Sequence, residues 1–215
     1  MNTAEHVILV HGLWYGSHSM SFLARRLRKA GYSTHLFDYS ATSVDLATNA
    51  RRLSDFHQKL SVSPVHFVGH SYGGLVIAQM MVDYFESTAS RAVLLGSPLQ
   101  GSQTVRRALK LPGSKKLFGK AARGLSEGVS GWKEHQTIAM IAGSKAIGLG
   151  RLFALGGRHG DGSIDLAETE SSELHSSLVL DVTHSGMIYS GKVANQLIHF
   201  LKEGKFGLKD KAREA

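Results

Sequence analysis

The fold of this chain is decided by the stretch Gly69-His70-Ser71-Tyr72-Gly73-Gly74. An apolar strand pattern over 65–68 precedes it, and an apolar helix pattern follows from Leu75. Between a strand and a helix, the serine of Gly-x-Ser-x-Gly occupies a sharp turn that lifts its hydroxyl out of the sheet. Gly69 and Gly73 leave room for that turn because glycine has no Cβ. The stretch therefore predicts that Ser71 is a nucleophile.

Strand and helix patterns alternate along the rest of the chain. We expect strands at 6–10, 34–39, 65–68, 91–95, 137–142 and 178–182, and helices at 19–30, 44–60, after Ser71 and at 192–202. This order is typical of the α/β class, with a mostly parallel sheet of about six strands and helices on both faces. Because ligands bind at the carboxyl ends of such strands, reactive side chains are expected just after strands.

Length and composition favour one domain over residues 1–215. The chain is 42% hydrophobic and has no cysteine, which excludes disulfides, thiol catalysis and zinc–thiolate sites. The first residues lack a basic leader pattern, and no apolar run reaches about 18 residues. We therefore expect a cytoplasmic protein. We expect no metal, since neither His-Glu-x-x-His nor a cysteine cluster is present. We also expect no cofactor.

A serine nucleophile needs a base, and the base needs a carboxylate that orients it. The chain order of this kind of fold is serine, acid and then histidine. His184 directly follows the strand pattern at 178–182, where a loop can bring its imidazole over Ser71. We therefore predict that His184 is the base.

Two aspartates compete for the role of the acid. Asp161 lies between two glycines, in a turn that can point its carboxylate inward. Asp165 begins a stretch that is typical of a solvated first helical turn. Asp161 is favoured, while Asp165, Glu168 and Asp38 stay open as alternatives.

An acyl-transfer site also needs two amide donors for the oxyanion. We expect these to be the backbone N–H groups of Tyr72, at the start of the helix, and of Leu13, in the loop after the first strand. Trp14, Tyr15 and Leu99 are candidates for the substrate pocket. His70, next to the nucleophile, is interpreted as a packing residue.

The positive charge is concentrated in an insertion at about 101–136, where such folds often place a lid. The net charge is +8, and seven basic residues without an acidic one lie within 101–126. Residues 106–123 could rest on an anionic membrane surface or simply form a solvated lid face. Nucleic acid is not an expected partner, because aromatic residues are not interleaved with the charges.

The sequence resembles the α/β-hydrolase family, and within it the small bacterial lipases and esterases. The matching blocks are 10–13, 69–74, 96–102, 161–164 and 182–186, in the family's order. In such lipases an Asp-Gly-x-Val/Ile segment carries the acid, which supports Asp161 over Asp165. The resemblance implies a serine hydrolase that cleaves small acyl esters through an acyl-enzyme. A thioesterase, an amidase or a non-catalytic binding protein of this fold remain alternatives, and the oligomeric state is not predicted.

Overall fold

One parallel sheet of six strands organises the molecule, in a computed structural model that describes residues 4–147 and 159–208. The strands are β1 (His6–Val10), β2 (Ser33–Phe37), β3 (Val65–His70), β4 (Arg91–Leu95), β5 (Thr137–Gly143) and β6 (Ser176–Leu180). Their order is β2-β1-β3-β4-β5-β6, and every neighbouring pair is parallel. The predicted α/β class and its sheet of about six strands are confirmed.

Helices cover both faces of the sheet. They are α1 (Ser21–Lys29), α2 (Leu46–Leu60), α3 (Tyr72–Tyr84), α4 (Gln103–Ala108), α5 (Ser114–Phe118), α6 (Ala121–Glu127), α7 (Leu166–Thr169) and α8 (Gly191–Glu203). Short 3₁₀ helices lie at Ser17–Met20 and Ser185–Tyr189. The core of one face includes α2, α3 and the insertion, and that of the other face includes α1 and α8.

The alternation of side chains along β1 shows how the sheet separates these two cores. Ile8 and Val10 point into the core beneath α2 and α3, whereas Val7 and Leu9 point into the core beneath α1 and α8. All four side chains are fully buried, and each contributes roughly 1.5–3 kcal/mol through removal from water. A strand that is apolar on both faces is what a covered parallel sheet requires.

The second and sixth strands begin and end earlier than the apolar pattern indicates. β2 pairs residue by residue with the five residues of β1, so its pairing ends at Phe37 rather than at 39. β6 begins at Ser176 opposite Ala139 and ends at Leu180. Its chain then turns away because Val182 N–H donates to the carbonyl of Leu180 at 2.8 Å. Pairing with the neighbouring strand therefore sets these bounds.

The insertion departs from its helical pattern at Gly119. Leu117, Ala121 and Leu125 recur at helical spacing, but Gly119 has φ 55° and separates α5 from α6. A side chain there would lie 2.2 Å from the carbonyl oxygen of Thr42. Because of this break, Leu117 is 58% exposed and Phe118 is buried in its place.

Candidate active site

Ser71 lies at the turn between β3 and α3. Its backbone has φ 53° and ψ −121°, a conformation that costs on the order of 1–3 kcal/mol for a residue with a side chain. The Ser71 N–H donates to the carbonyl of Leu95 in β4 at 2.8 Å, which holds the turn. A Cβ on Gly73 would lie 2.5 Å from the carbonyl oxygen of Val10. The glycine of the motif is therefore required by the close approach of α3 to β1.

His184 reaches Ser71 from the loop that follows β6. Its Nε2 is 2.9 Å from the Ser71 Oγ, and its Nδ1 is 2.6 Å from Oδ2 of Asp161. The backbone N–H of His184 also donates to the carbonyl of Asp161 at 3.0 Å. The structure thus brings together three of the predicted residues in one hydrogen-bonded series.

Asp161 is buried, and both of its carboxylate oxygens are occupied. Oδ1 accepts the backbone N–H groups of Ser163 at 3.0 Å and Ile164 at 2.8 Å, while Oδ2 faces His184. A carboxylate can only accept here, so the His184 Nδ1 carries the proton. The Nε2 is therefore left as an acceptor for the Ser71 hydroxyl proton.

The alternative acids lie elsewhere. Asp165 is the N-cap of α7 and forms a capping box with Glu168. Glu168 is buried and also accepts the backbone N–H of Gln103. Burial raises the pKa of both carboxyls. Asp38 accepts the Ser17 N–H and is largely exposed, so Asp161 is the acid that contacts His184.

The two predicted oxyanion donors belong to segments that adjoin the nucleophile. Tyr72 is the first residue of α3, where helical N–H groups have no partner within the helix. Leu13 follows Gly12, whose added Cβ would lie 3.2 Å from the Ser71 Cβ, so this loop is packed against the nucleophile. Within 4–147 and 159–208, neither the Leu13 nor the Tyr72 N–H donates to a protein acceptor.

His70 makes a contact that sequence reasoning missed. Its imidazole is buried, and its Nε2–H donates to the carbonyl oxygen of His184 at 3.0 Å. Complete burial, and then the neighbouring His184, lower the pKa of the His70 imidazole to about 3, so this ring stays neutral. His70 therefore holds the backbone of His184 as well as packing, and no local sequence signal indicates that contact.

The three pocket candidates occupy different environments. Leu99 is almost fully buried in the core. The hydroxyl of Tyr15 donates to Ser185 Oγ at 2.8 Å, and its ring lies edge-on to His70, so it supports the His184 loop. Trp14 is 54% exposed, and its indole N–H donates to the Leu117 carbonyl of the insertion. The structure thus leaves Trp14 at the rim of the site.

Metal-binding clusters and membrane-spanning helices are both absent from the described ranges. Among those residues, no group of three His, Cys, Asp or Glu side chains is arranged to hold a metal ion. The helices described there are also too short or too polar for any of them to cross a membrane.

Comparison with known proteins identifies the family of this chain. A sequence profile described as "Alpha/beta hydrolase family" matches residues 7–158. The chain belongs to the alpha/beta hydrolase family. The family resemblance drawn from the motif blocks is thereby confirmed.

This hydrolase is also similar to individual proteins. A carbendazim hydrolyzing esterase from Nocardioides sp. (strain SG-4G) is 37% identical over 79 residues, which make up 33% of each chain. The match thus spans a third of that curated relative. The mature lipase of Bacillus licheniformis shares 19% identity at a TM-score of 0.72, with 94% of the hydrolase and 92% of the lipase covered. An esterase from Exiguobacterium antarcticum shares 15% identity at a TM-score of 0.67, with 94% of each chain covered. The two structures show the fold.

Proposed function

We propose that this protein is a serine hydrolase that cleaves carboxylic esters through a covalent acyl-enzyme. The observation that carries the proposal is the series of contacts from Ser71 through His184 to Asp161, at 2.9 Å and 2.6 Å. A nucleophile, a base within hydrogen-bond reach and an orienting acid are the requirements of acyl transfer. The similar proteins, which are named as two esterases and a lipase, support the same chemistry.

In the first half of the reaction, His184 Nε2 takes the hydroxyl proton as Ser71 Oγ attacks the ester carbonyl carbon. The carbonyl oxygen becomes an oxyanion, which the N–H groups of Leu13 and Tyr72 stabilise. One such donor typically contributes about 3 kcal/mol. Asp161 stabilises the imidazolium that forms on His184. Collapse breaks the bond to the alcohol oxygen, which leaves with the proton from His184 Nε2.

In the second half, water replaces the alcohol. His184 takes one proton from the water as its oxygen attacks the acyl-enzyme carbonyl carbon, and the same two amides hold the second oxyanion. The bond to Ser71 Oγ then breaks, and the serine recovers its proton from His184. The products are a carboxylic acid and an alcohol, and the protein is regenerated.

The proposal is tested with Ser71→Ala. We expect p-nitrophenyl ester turnover to fall by on the order of 10⁴-fold or more, and labelling by a fluorophosphonate probe to disappear. Ser172→Ala, at an exposed serine before β6, is the matched control and should leave both unchanged. A folded wild-type protein that does not label would end the proposal. Rates on a thioester and an anilide with the same acyl group separate an esterase from a thioesterase or amidase.

A further inference from the structure

Three large apolar side chains lie exposed on two parts of the chain, the loop that carries Leu13 and the insertion. Trp14 is 54%, Leu111 54% and Leu117 58% exposed. Trp14 directly follows Leu13, and its indole N–H donates to the Leu117 carbonyl at 3.2 Å, so these two residues are neighbours. Leu111 precedes α5, and its carbonyl accepts the Ser114 hydroxyl at 2.6 Å. Single exposed apolar side chains are ordinary, but a group of them at the rim of a site indicates a contact surface.

The seven basic residues of 101–126 fall into two groups in the structure. Arg106 donates to the backbone carbonyls of Gly101 and Ser126, and Arg123 pairs with Glu127. Arg107 and Lys120 form no ion pair within the described ranges, but each lies near a carboxylate, Asp165 and Asp45 respectively. The other three, Lys110, Lys115 and Lys116, are exposed and form no ion pair with any described residue. These three lie on the same short segment as Leu111 and Leu117.

We infer that this surface docks on an anionic lipid bilayer. We name it the rim patch, and it consists of Trp14, Lys110, Leu111, Lys115, Lys116 and Leu117. Ammonium groups match anionic headgroups, while Leu and Trp side chains enter the boundary between headgroups and acyl chains. The apolar stems of lysine can lie along that boundary with the charge in water. Docking would bring the loop of Leu13 and Trp14, which packs against Ser71, next to the lipid. Hydrolysis of an ester presented by that lipid is the one consequence that rests on the proposed function.

The apolar members of the rim patch favour a lipid over a nucleic acid. A single-stranded nucleic acid needs several aromatic side chains on which its bases stack. The rim patch has one aromatic side chain, Trp14, and two leucines, each next in sequence to one of its lysines. Leucine side chains can enter a bilayer and strengthen binding there, whereas they contribute no binding free energy against a phosphate backbone.

The test uses Ser71→Ala, which cannot consume the lipid, and vesicles of phosphatidylcholine with or without phosphatidylglycerol. We expect the protein to pellet with the anionic vesicles and far less with the neutral ones. Its tryptophan emission should shift to shorter wavelength, and Trp14 would be the source because Trp132 is buried. Added to that background, Lys115→Gln with Lys116→Gln should weaken partitioning about 30-fold, since each lysine contributes about fivefold near an anionic surface.

Two further variants, also in the Ser71→Ala background, show whether binding depends on the rim patch or only on the net positive charge of the protein. Arg25→Gln with Lys29→Gln removes the same charge from α1, on the opposite face of the sheet, and should leave partitioning within about threefold. Leu111→Ser with Leu117→Ser should weaken it about tenfold without changing the net charge. Equal binding to neutral vesicles, equal loss in the α1 control, or undiminished binding of the Leu111→Ser, Leu117→Ser variant would overturn the inference. Since pelleting does not depend on turnover, failure here is distinct from failure of the proposed hydrolysis.

Discussion

Replacement of Asp161 by asparagine tests the orientation of the base most sharply. The variant keeps the shape of the side chain. Its amide oxygen can still accept the N–H groups of Ser163 and Ile164, which lie 3.0 and 2.8 Å from Oδ1 of Asp161. These hydrogen bonds direct the new NH₂ group at His184 Nδ1, so that Nδ1 has to accept a hydrogen bond instead of donating one. The imidazole proton moves to Nε2, and Nε2 faces the Ser71 hydroxyl as a donor instead of an acceptor.

The expected loss in kcat is about 10⁴-fold, the size seen when a buried orienting aspartate becomes asparagine in a serine protease. This corresponds to about 5.5 kcal/mol of activation free energy. We would measure p-nitrophenyl ester hydrolysis at neutral pH, with thermal unfolding to show that the variant is folded. Asp165→Asn is the control, because asparagine also caps helices well and α7 keeps its N-cap. A folded Asp161→Asn protein within tenfold of wild type would refute the proposed role of Asp161.

The remaining predictions concern His70 and the glycines. His70→Leu removes the donor to the His184 carbonyl and should lower kcat about tenfold with little change in KM, whereas His70→Gln, which can place an N–H there, should recover most of the rate. Because the pKa of His70 falls to about 3 on folding, the unfolded chain binds more protons between about pH 3 and 6.5, and stability decreases as the pH falls through that window. The free energy of unfolding, measured with urea, should therefore fall between pH 7.5 and pH 5 by about 2 kcal/mol less in His70→Gln than in wild type. An equal fall in both proteins would contradict a buried His70 ring that stays neutral. Gly73→Ala should destabilise the protein by more than about 3 kcal/mol, because its Cβ would lie 2.3 Å from the His11 carbonyl oxygen. Gly191→Ala, which meets nothing within 4 Å in the first turn of α8, should stabilise it by roughly 0.5–1 kcal/mol by the same assay.

Much of the fold could be predicted because its signals are local. The apolar runs at 6–10 and 91–95 coincide with β1 and β4, since both strands are buried on both faces and need no distant information. The bounds of β2 and β6 could not be read in this way. They depend on how many residues the neighbouring strand offers for pairing, which is a property of the assembled sheet.

The features of the candidate site also differ in whether a local sequence signal reveals them. The turn at Ser71 and the order of acid and histidine follow from spacing, so Ser71, Asp161 and His184 could all be proposed from the sequence. The contact between His70 and the His184 carbonyl joins residues 114 positions apart. The exposure of Leu117 depends on a helix break at Gly119 that packing against Thr42 enforces. Such features need the folded chain.

β6 is the last of the six strands in chain order, and this has a consequence for synthesis of the protein. Ser71 leaves the ribosome 113 residues before His184, the base proposed to activate it. A nascent chain that has completed β3 and α3 contains the Ser71 hydroxyl but not His184, the base proposed to deprotonate it. Under the proposed mechanism, hydrolysis begins only when the final strand has been added, and premature termination anywhere before residue 184 yields an inert product.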